Sequence, residues 1–301
     1  MPDASSVVGA AGIAPMLMLA IARMSQHLSI HAEGLPVTWF TTLPLAISLP
    51  LFVGGFVVLS CLVVVALRPV VRRLVDDAEQ WDRVLGHVIG TFGVFFGILL
   101  ALVAVSVYEN YSDTREAALH EAGQITALYR GTTGLPEQVA EPLQETIKEY
   151  LRVVIEEDWP DQRRGELPEA SLELVDELER EIHEYEPDGL QQLAEFQQLL
   201  ATFDDFVETR RVRIDATALE LPTLFWIAIW VGAAVNAVLI GLIIVKSRRL
   251  HLVLAGMLAL FIGLVMFTTA DMDLPYQGAL AVNPGAFERV VDQVERMEGG
   301  P

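Results

Sequence analysis

The sequence predicts an all-α membrane protein: four transmembrane helices, with a helical soluble bundle inserted between spans 2 and 3. Three observations carry this. The 301 residues are 52% hydrophobic yet hold a formal charge of −20, a pairing that soluble globules rarely show. The two properties are segregated: four long blocks contain no charge, while residues 109–219 hold 27 Asp+Glu against 10 Lys+Arg, a balance of −17. Within that acidic block apolar residues recur at helical spacing, and alternating strand patterns are absent.

Residues 1–43 form an N-terminal segment of their own. Val7–Ala22 is an apolar stretch with Pro15 inside and no basic run before it, which tells against a signal peptide. Three readings stay open: a short membrane helix, an interfacial helix, or translated sequence upstream of a start at Met16, Met18 or Met24. It is not counted as a span.

About 20 apolar residues cross a hydrocarbon core. Leu45–Leu67, Val88–Val107, Leu221–Val245 and Leu252–Ala270 meet that length without a formal charge. They define two transmembrane hairpins, 44–108 and 220–275. Arg68, Arg72, Arg73 and Arg83 follow span 1, and Lys246, Arg248 and Arg249 follow span 3. In a four-span chain these links share one side, which the positive-inside rule places in the cytoplasm of a plasma (inner) membrane protein. The acidic domain is then extracytoplasmic. Aromatic residues near the opposite span ends agree: Trp39, Phe40, Tyr108, Tyr111, Phe225, Trp226 and Tyr276.

Residues 109–219 are too long for a loop and too patterned for disorder. Leu143, Ile147, Tyr150, Leu151 and Val154 make one helical set. Leu172, Val175, Leu178 and Ile182 make a second, and Leu190, Leu193, Phe196, Leu200, Phe203 and Val207 a third. Three helices plus an extension of span 2, packed as a bundle, account for them. The acidic run "EEDWPDQ" reads as a solvated helix end. Residues 276–301 are expected to be a C-terminal tail.

Val88–Tyr129 reads as one continuous helix. Gly90, Gly93, Gly97, Ala101 and Ala104 fall on one side, a stripe of small residues suited to close helix packing in lipid. Tyr111, Ala118, Ala122, Ile125 and Tyr129 continue nearly the same side. The opposite side carries Thr91, Phe95, Ile98 and Leu102, then Glu109, Asp113, Glu116 and His120. It reads either as a face toward lipid and then water, or as a pore face with an apolar constriction and an acidic mouth, since apolar constrictions gate by dewetting and carboxylate rings favour cations.

Composition and motifs narrow the chemistry. Strong acidity excludes nucleic acid as a partner, because phosphate binding needs a basic surface. The single cysteine, Cys61, allows no disulfide within the chain. There is no HExxH, CxxC, Walker A, GxSxG or EF-hand pattern, so no enzyme is expected, no catalytic residue is assigned and no cofactor is called for. Asp271 and Asp273 close span 4, where a capping role competes with a hold on a cation such as Ca²⁺. Asn236 in span 3 is suited to an interhelical hydrogen bond, and His251 to a lipid headgroup contact.

An ordered set of stretches carries a family resemblance. It comprises the arginines after span 1, "FGVFFGILLALVAVSVYENYSDTREA", "ALYRGTTGLPE", "YLRVVIEEDWP", "LPTLFWIAIWVGA", "RLHLVLAGMLALFIGLVMF" and "DLPYQGALAVNPGAFERV". Over about residues 45–290 the chain resembles the bestrophin-like four-transmembrane family of bacterial membrane proteins. That resemblance implies distant kinship with bestrophins, pentameric anion channels with a hydrophobic neck on the second helix. It implies an oligomeric ion channel whose partners are membrane lipid, inorganic ions and further copies of itself, a pentamer by analogy. By the same analogy Phe92, Phe96 and Leu100 are neck candidates, in competition with Phe95, Ile98 and Leu102. Two departures stand beside it. Bestrophins hold their soluble mass in the cytosol, and their calcium-binding acidic cluster has only a faint echo in Asp271 and Asp273. A non-conducting, membrane-anchored module that binds a partner through its acidic domain is the competing reading.

Overall fold

The computed structural model describes residues 43–75 and 77–298, so Val7–Ala22 and the rest of the N-terminal segment lie outside the described residues. Every regular element among the described residues is helical. Helix α1 spans Leu45–Leu74, and α2 spans Ala78–Thr132. Helix α3, Glu137–Val153, runs through a π-helical turn, Val154–Asp158, into the short α4, Trp159–Arg163. Helix α5 is Leu172–Glu184, and α6 is Leu190–Asp215, ending in a 3-10 turn at Ala216–Ala218. Helices α7, Thr223–Gly241, and α8, Arg248–Met272, form the second hairpin, and α9 is Gly285–Glu298.

Among the described residues, four helices are long and apolar enough to cross a membrane: α1, α2, α7 and α8. Their ends differ from the apolar blocks. Helix α1 continues past Leu67 and carries Arg68, Arg72 and Arg73 on its last turns, and Asp77 caps α2 by accepting from Glu79 and Gln80 N–H. The expected link after span 1 is therefore mostly the ends of two helices. Helix α7 stops at Gly241, four residues inside its apolar block. The carbonyls freed there are taken up by neighbours: Trp81 Nε1 donates to Leu242 O (3.0 Å), and Arg68 Nη2 donates to Val245 O and Lys246 O (3.3 and 3.2 Å). Backbone groups at a membrane edge need such partners, and the apolar pattern alone does not reveal where they are found.

Close helix approach in the membrane bundle uses glycines of α7 and α8. A Cβ at Gly263 would press on Phe56 of α1, one at Gly241 on Leu67 of α1, and one at Gly232 on the Phe96 ring of α2. Gly90, Gly93 and Gly97 of α2 meet no atom within 4 Å. The small-residue stripe of α2 thus packs on nothing within the described chain. The packing face of α2 is Phe96, Leu100, Val103 and Val107, roughly a quarter turn away at about 100° per residue.

Beyond the membrane, α2 through α6 build the expected bundle. Ile125, Leu143, Ile147, Tyr150, Leu178, Ile182 and Phe206 are fully enclosed in its core. Two expectations fail here. The tail is not a tail: α9 inserts Phe287, Val290 and Val294 into the same core. Its apolar residues recur at three and four, the helical signature, downstream of the last span. The third apolar set also shifts. Leu190, Leu193 and Val207 are exposed, and the buried face of α6 is Leu199, Phe203, Phe206, Arg210 and Arg213. Two arginines occupy core positions: Arg213 faces buried carboxylates, and Arg210 donates to the Ser171 hydroxyl, as described below.

Candidate functional site

Helix α2 is the element that joins membrane and domain, about 80 Å long at 1.5 Å per residue. Its sides have distinct fates. Phe96 and Leu100 are buried within the chain, and Phe92 is half-buried, its ring stacked on Phe96 at 5.6 Å. That is the stripe the bestrophin analogy nominates for a neck, and here it is turned toward α7. Phe95, Ile98 and Leu102 are open, with Phe95 69% and Leu102 66% exposed. The same side continues as exposed Glu109, Asp113, Glu116 and His120, where His120 and Glu116 lie 3.5 Å apart. One uncovered stripe therefore runs from Thr91 to His120, roughly 45 Å. It is apolar through the membrane half and acidic beyond.

Asp271 and Asp273 are each engaged by N–H donors. Asp271 accepts from Ala279 and Leu280 N–H (3.0 and 2.9 Å), folding the loop after α8 over its carboxylate, with Gly278 at φ 83° beside it. Asp273 accepts from Leu221 N–H and Trp226 Nε1, both 2.9 Å, tying the entry of α7 to the exit of α8. Burial raises the Asp273 pKa above the usual carboxylate value, against those two bonds. All four oxygens serve as loop and helix ties. His251 is likewise an internal tie: it is buried, with Nε2 2.9 Å from Ile240 O, and not a headgroup contact.

The polar centre of the soluble domain was not legible beforehand. Glu121 on α2 and Arg213 on α6 are both fully buried and paired, Arg213 Nε to Glu121 Oε2 at 2.5 Å. Tyr150 of α3 donates its hydroxyl to the other oxygen of Glu121. Arg213 Nη1 donates to Gln162 Oε1 (2.8 Å), and Nη2 lies 3.5 Å from Asp158. Asp158 accepts from Ser171 Oγ (2.6 Å), which accepts from Arg210 (2.8 Å). The guanidinium carbon of Arg213 sits 5.5 Å from the Trp159 ring and 5.6 Å from the Phe287 ring, within cation–π range. "EEDWPDQ" is therefore core at Asp158, Trp159 and Gln162, not a solvated end. Burial acts to lower the Arg213 pKa, but the Glu121 charge and hydrogen bond more than offset it, and the guanidinium stays charged. Burial, then Glu121, pushes the Tyr150 phenol well above its usual value. This cluster holds charge in place. It has neither the exposure nor the poised acid and base of a catalytic centre.

The family model of the bestrophin-like domain matches residues 54–287. The chain belongs to the bestrophin-like family. The match begins within α1 and ends in α9, so it takes in the membrane bundle and the soluble domain together. Among solved structures, a point mutant of a bacterial bestrophin homologue from Klebsiella pneumoniae superposes with a TM-score of 0.60 at 10% identity, covering 82% of this chain and 99% of that one. A second membrane-protein structure gives a TM-score of 0.55 at 11% identity, with the same coverage of each chain. At such identities the likeness is one of fold. No curated protein matches the sequence.

Proposed function

We propose that this bestrophin-like protein is an oligomeric ion channel of the plasma (inner) membrane, in which the open side of α2 lines the pore. One observation carries the proposal: Phe95, Ile98 and Leu102 form an uncovered apolar stripe that runs into Glu109, Asp113 and Glu116 on the same helix. Copies arranged around an axis, five by analogy, would convert that stripe into an apolar constriction with an acidic mouth. Gly90, Gly93, Gly97 and Ala101, open within the chain, would meet the neighbouring copy. The structure described for Klebsiella pneumoniae is that of a bestrophin homologue, and kinship with that group favours anions, whereas carboxylates at the mouth favour cations. The acidic domain is extracytoplasmic in this reading.

Liposomes containing the purified protein should pass ions. Phe95→Ala and Leu102→Ala should change that flux while leaving the thermal midpoint in place, and reversal potentials read the selectivity. Phe96→Ala, which empties the contact on Gly232, should lower the thermal midpoint instead. Silent liposomes with folded protein would overturn the channel reading. A flux altered only by substitutions at Phe92, Phe96 and Leu100 would return the neck to the competing stripe.

A further inference from the structure

The basic end of the membrane bundle gathers four arginines around one groove. A groove of about 580 Å³ opens between the end of α1 and the start of α8, lined by Val65, Arg68, Pro69, Arg72, Arg73 and Arg248. Arg68 is committed to the carbonyls of Val245 and Lys246, which fixes the turn that delivers Arg248. Among the described residues, Arg72, Arg73 and Arg248 have neither a carboxylate within ion-pair distance nor a hydrogen-bonded side chain. Elsewhere among the described residues there are eleven Lys/Arg–carboxylate pairs of 4.0 Å or less and one His120–Glu116 contact. In a chain of net charge −20, four guanidinium groups converging on one groove concentrate positive charge at a single place.

Helix electrostatics sharpen the point. Arg72 and Arg73 suit the negative C-terminal end of α1, but Arg248 occupies the first turn of α8, where the helix end is itself positive and no acidic residue offsets it. An anion seated in the groove would relieve that repulsion. The floor of the groove, Val65 and Pro69, is apolar and belongs to a membrane-spanning helix. We infer that this groove binds a phosphate group, and that its position at the membrane edge makes the ligand the headgroup of an anionic phospholipid, with the first part of the lipid resting on Val65 and Pro69.

The test uses the full-length protein, delipidated in neutral detergent and titrated with phosphatidylglycerol, phosphatidylcholine or millimolar inorganic phosphate, with binding read by lipid retention and by thermal midpoint. Phosphatidylglycerol should bind and raise the midpoint, and phosphatidylcholine should not. The R72Q/R73Q/R248Q variant, which spares Arg68 and its turn, should bind phosphatidylglycerol roughly a hundredfold more weakly, since each basic side chain near an anionic surface contributes about a factor of five. R72K/R73K/R248K keeps the charge and should retain most of the binding, which separates lost charge from lost fold. Equal binding of both lipids, or unchanged phosphatidylglycerol binding by the glutamine variant, would overturn the site. Protection by inorganic phosphate without any by phosphatidylglycerol would overturn the lipid assignment.

Discussion

Arg213 shows how much one side chain organises. Its guanidinium meets Glu121 from α2, Gln162 from α4 and Asp158 from the π-helical turn, while its own carbonyl accepts from Tyr276 after α8. Removing one partner of a buried ion pair strands the other, which costs about 3–5 kcal/mol. Arg213→Leu should therefore lower the stability of the folded protein by that order, read as a depressed thermal midpoint in detergent. Glu121→Gln and Arg213→Gln together should cost less than the sum of the two single changes, because each single change leaves the other charge unpaired. Additive losses would show that the pair is not a unit. Gly232 makes a second residue-scale case. A methyl group there would overlap the Phe96 ring, itself stacked on Phe92. Gly232→Ala should destabilise by about 1–3 kcal/mol through overpacking, and Phe96→Leu in the same chain should recover part of that loss. A neutral Gly232→Ala would mean that α2 and α7 do not pack as closely as the structure shows.

At the scale of elements, the membrane helices were the most legible, because uninterrupted apolar blocks have one physical use. The mismatches fall where partners decide. Helix α7 ends early because Trp81 and Arg68 capture its carbonyls, a fact lodged in residues about 160 and 180 positions away in sequence. The candidate pore face, Phe95, Ile98 and Leu102, was visible from periodicity, but not which of two stripes the chain would cover; that turned on Gly232 fitting Phe96. Glu121 was hidden because nothing in a helical repeat distinguishes a solvated glutamate from one facing Arg213. Helix α9 was readable from Phe287, Val290 and Val294, yet its docking on α2 and α3 was not. Its far end is held by Glu298, which accepts from Lys148 Nζ (2.8 Å) and Tyr129 (3.0 Å). Those bonds, Lys148 first, hold the Glu298 pKa below its usual 4.5. A depressed carboxylate stabilises the fold above its unfolded pKa and loses that contribution as pH falls through the folded value. Below about pH 4.5 the last turn of α9 should exchange amide hydrogens faster, and Glu298→Gln should show the faster exchange already at neutral pH. Exchange at α9 that ignores both changes would remove Glu298 as its latch.

Across the whole molecule, charge is sorted end to end. The ends of α1 and α7 and the starts of α2 and α8 gather Arg68, Arg72, Arg73, Arg83, Lys246, Arg248 and Arg249 at one end of the membrane bundle, with Arg68 bonded across to the α7–α8 turn. The domain of balance −17 grows from the other end, where α2 leaves the membrane. Positive residues close to span ends resist translocation, whereas acidic residues contribute little to orientation. The basic end is therefore expected in the cytoplasm and the acidic domain outside, the reverse of the placement that kinship with bestrophins implies. Asp188 is exposed between α5 and α6, and the sole native cysteine, Cys61, lies within α1 with Sγ toward Leu252 O. Asp188→Cys in a Cys61→Ala background should react with a membrane-impermeant maleimide on intact cells. A cysteine in place of Arg83, at the basic end, should react only after lysis. The opposite labelling pattern would turn the protein over, set the acidic domain in the cytosol, and make Glu109, Asp113 and Glu116 the inner mouth of the proposed pore.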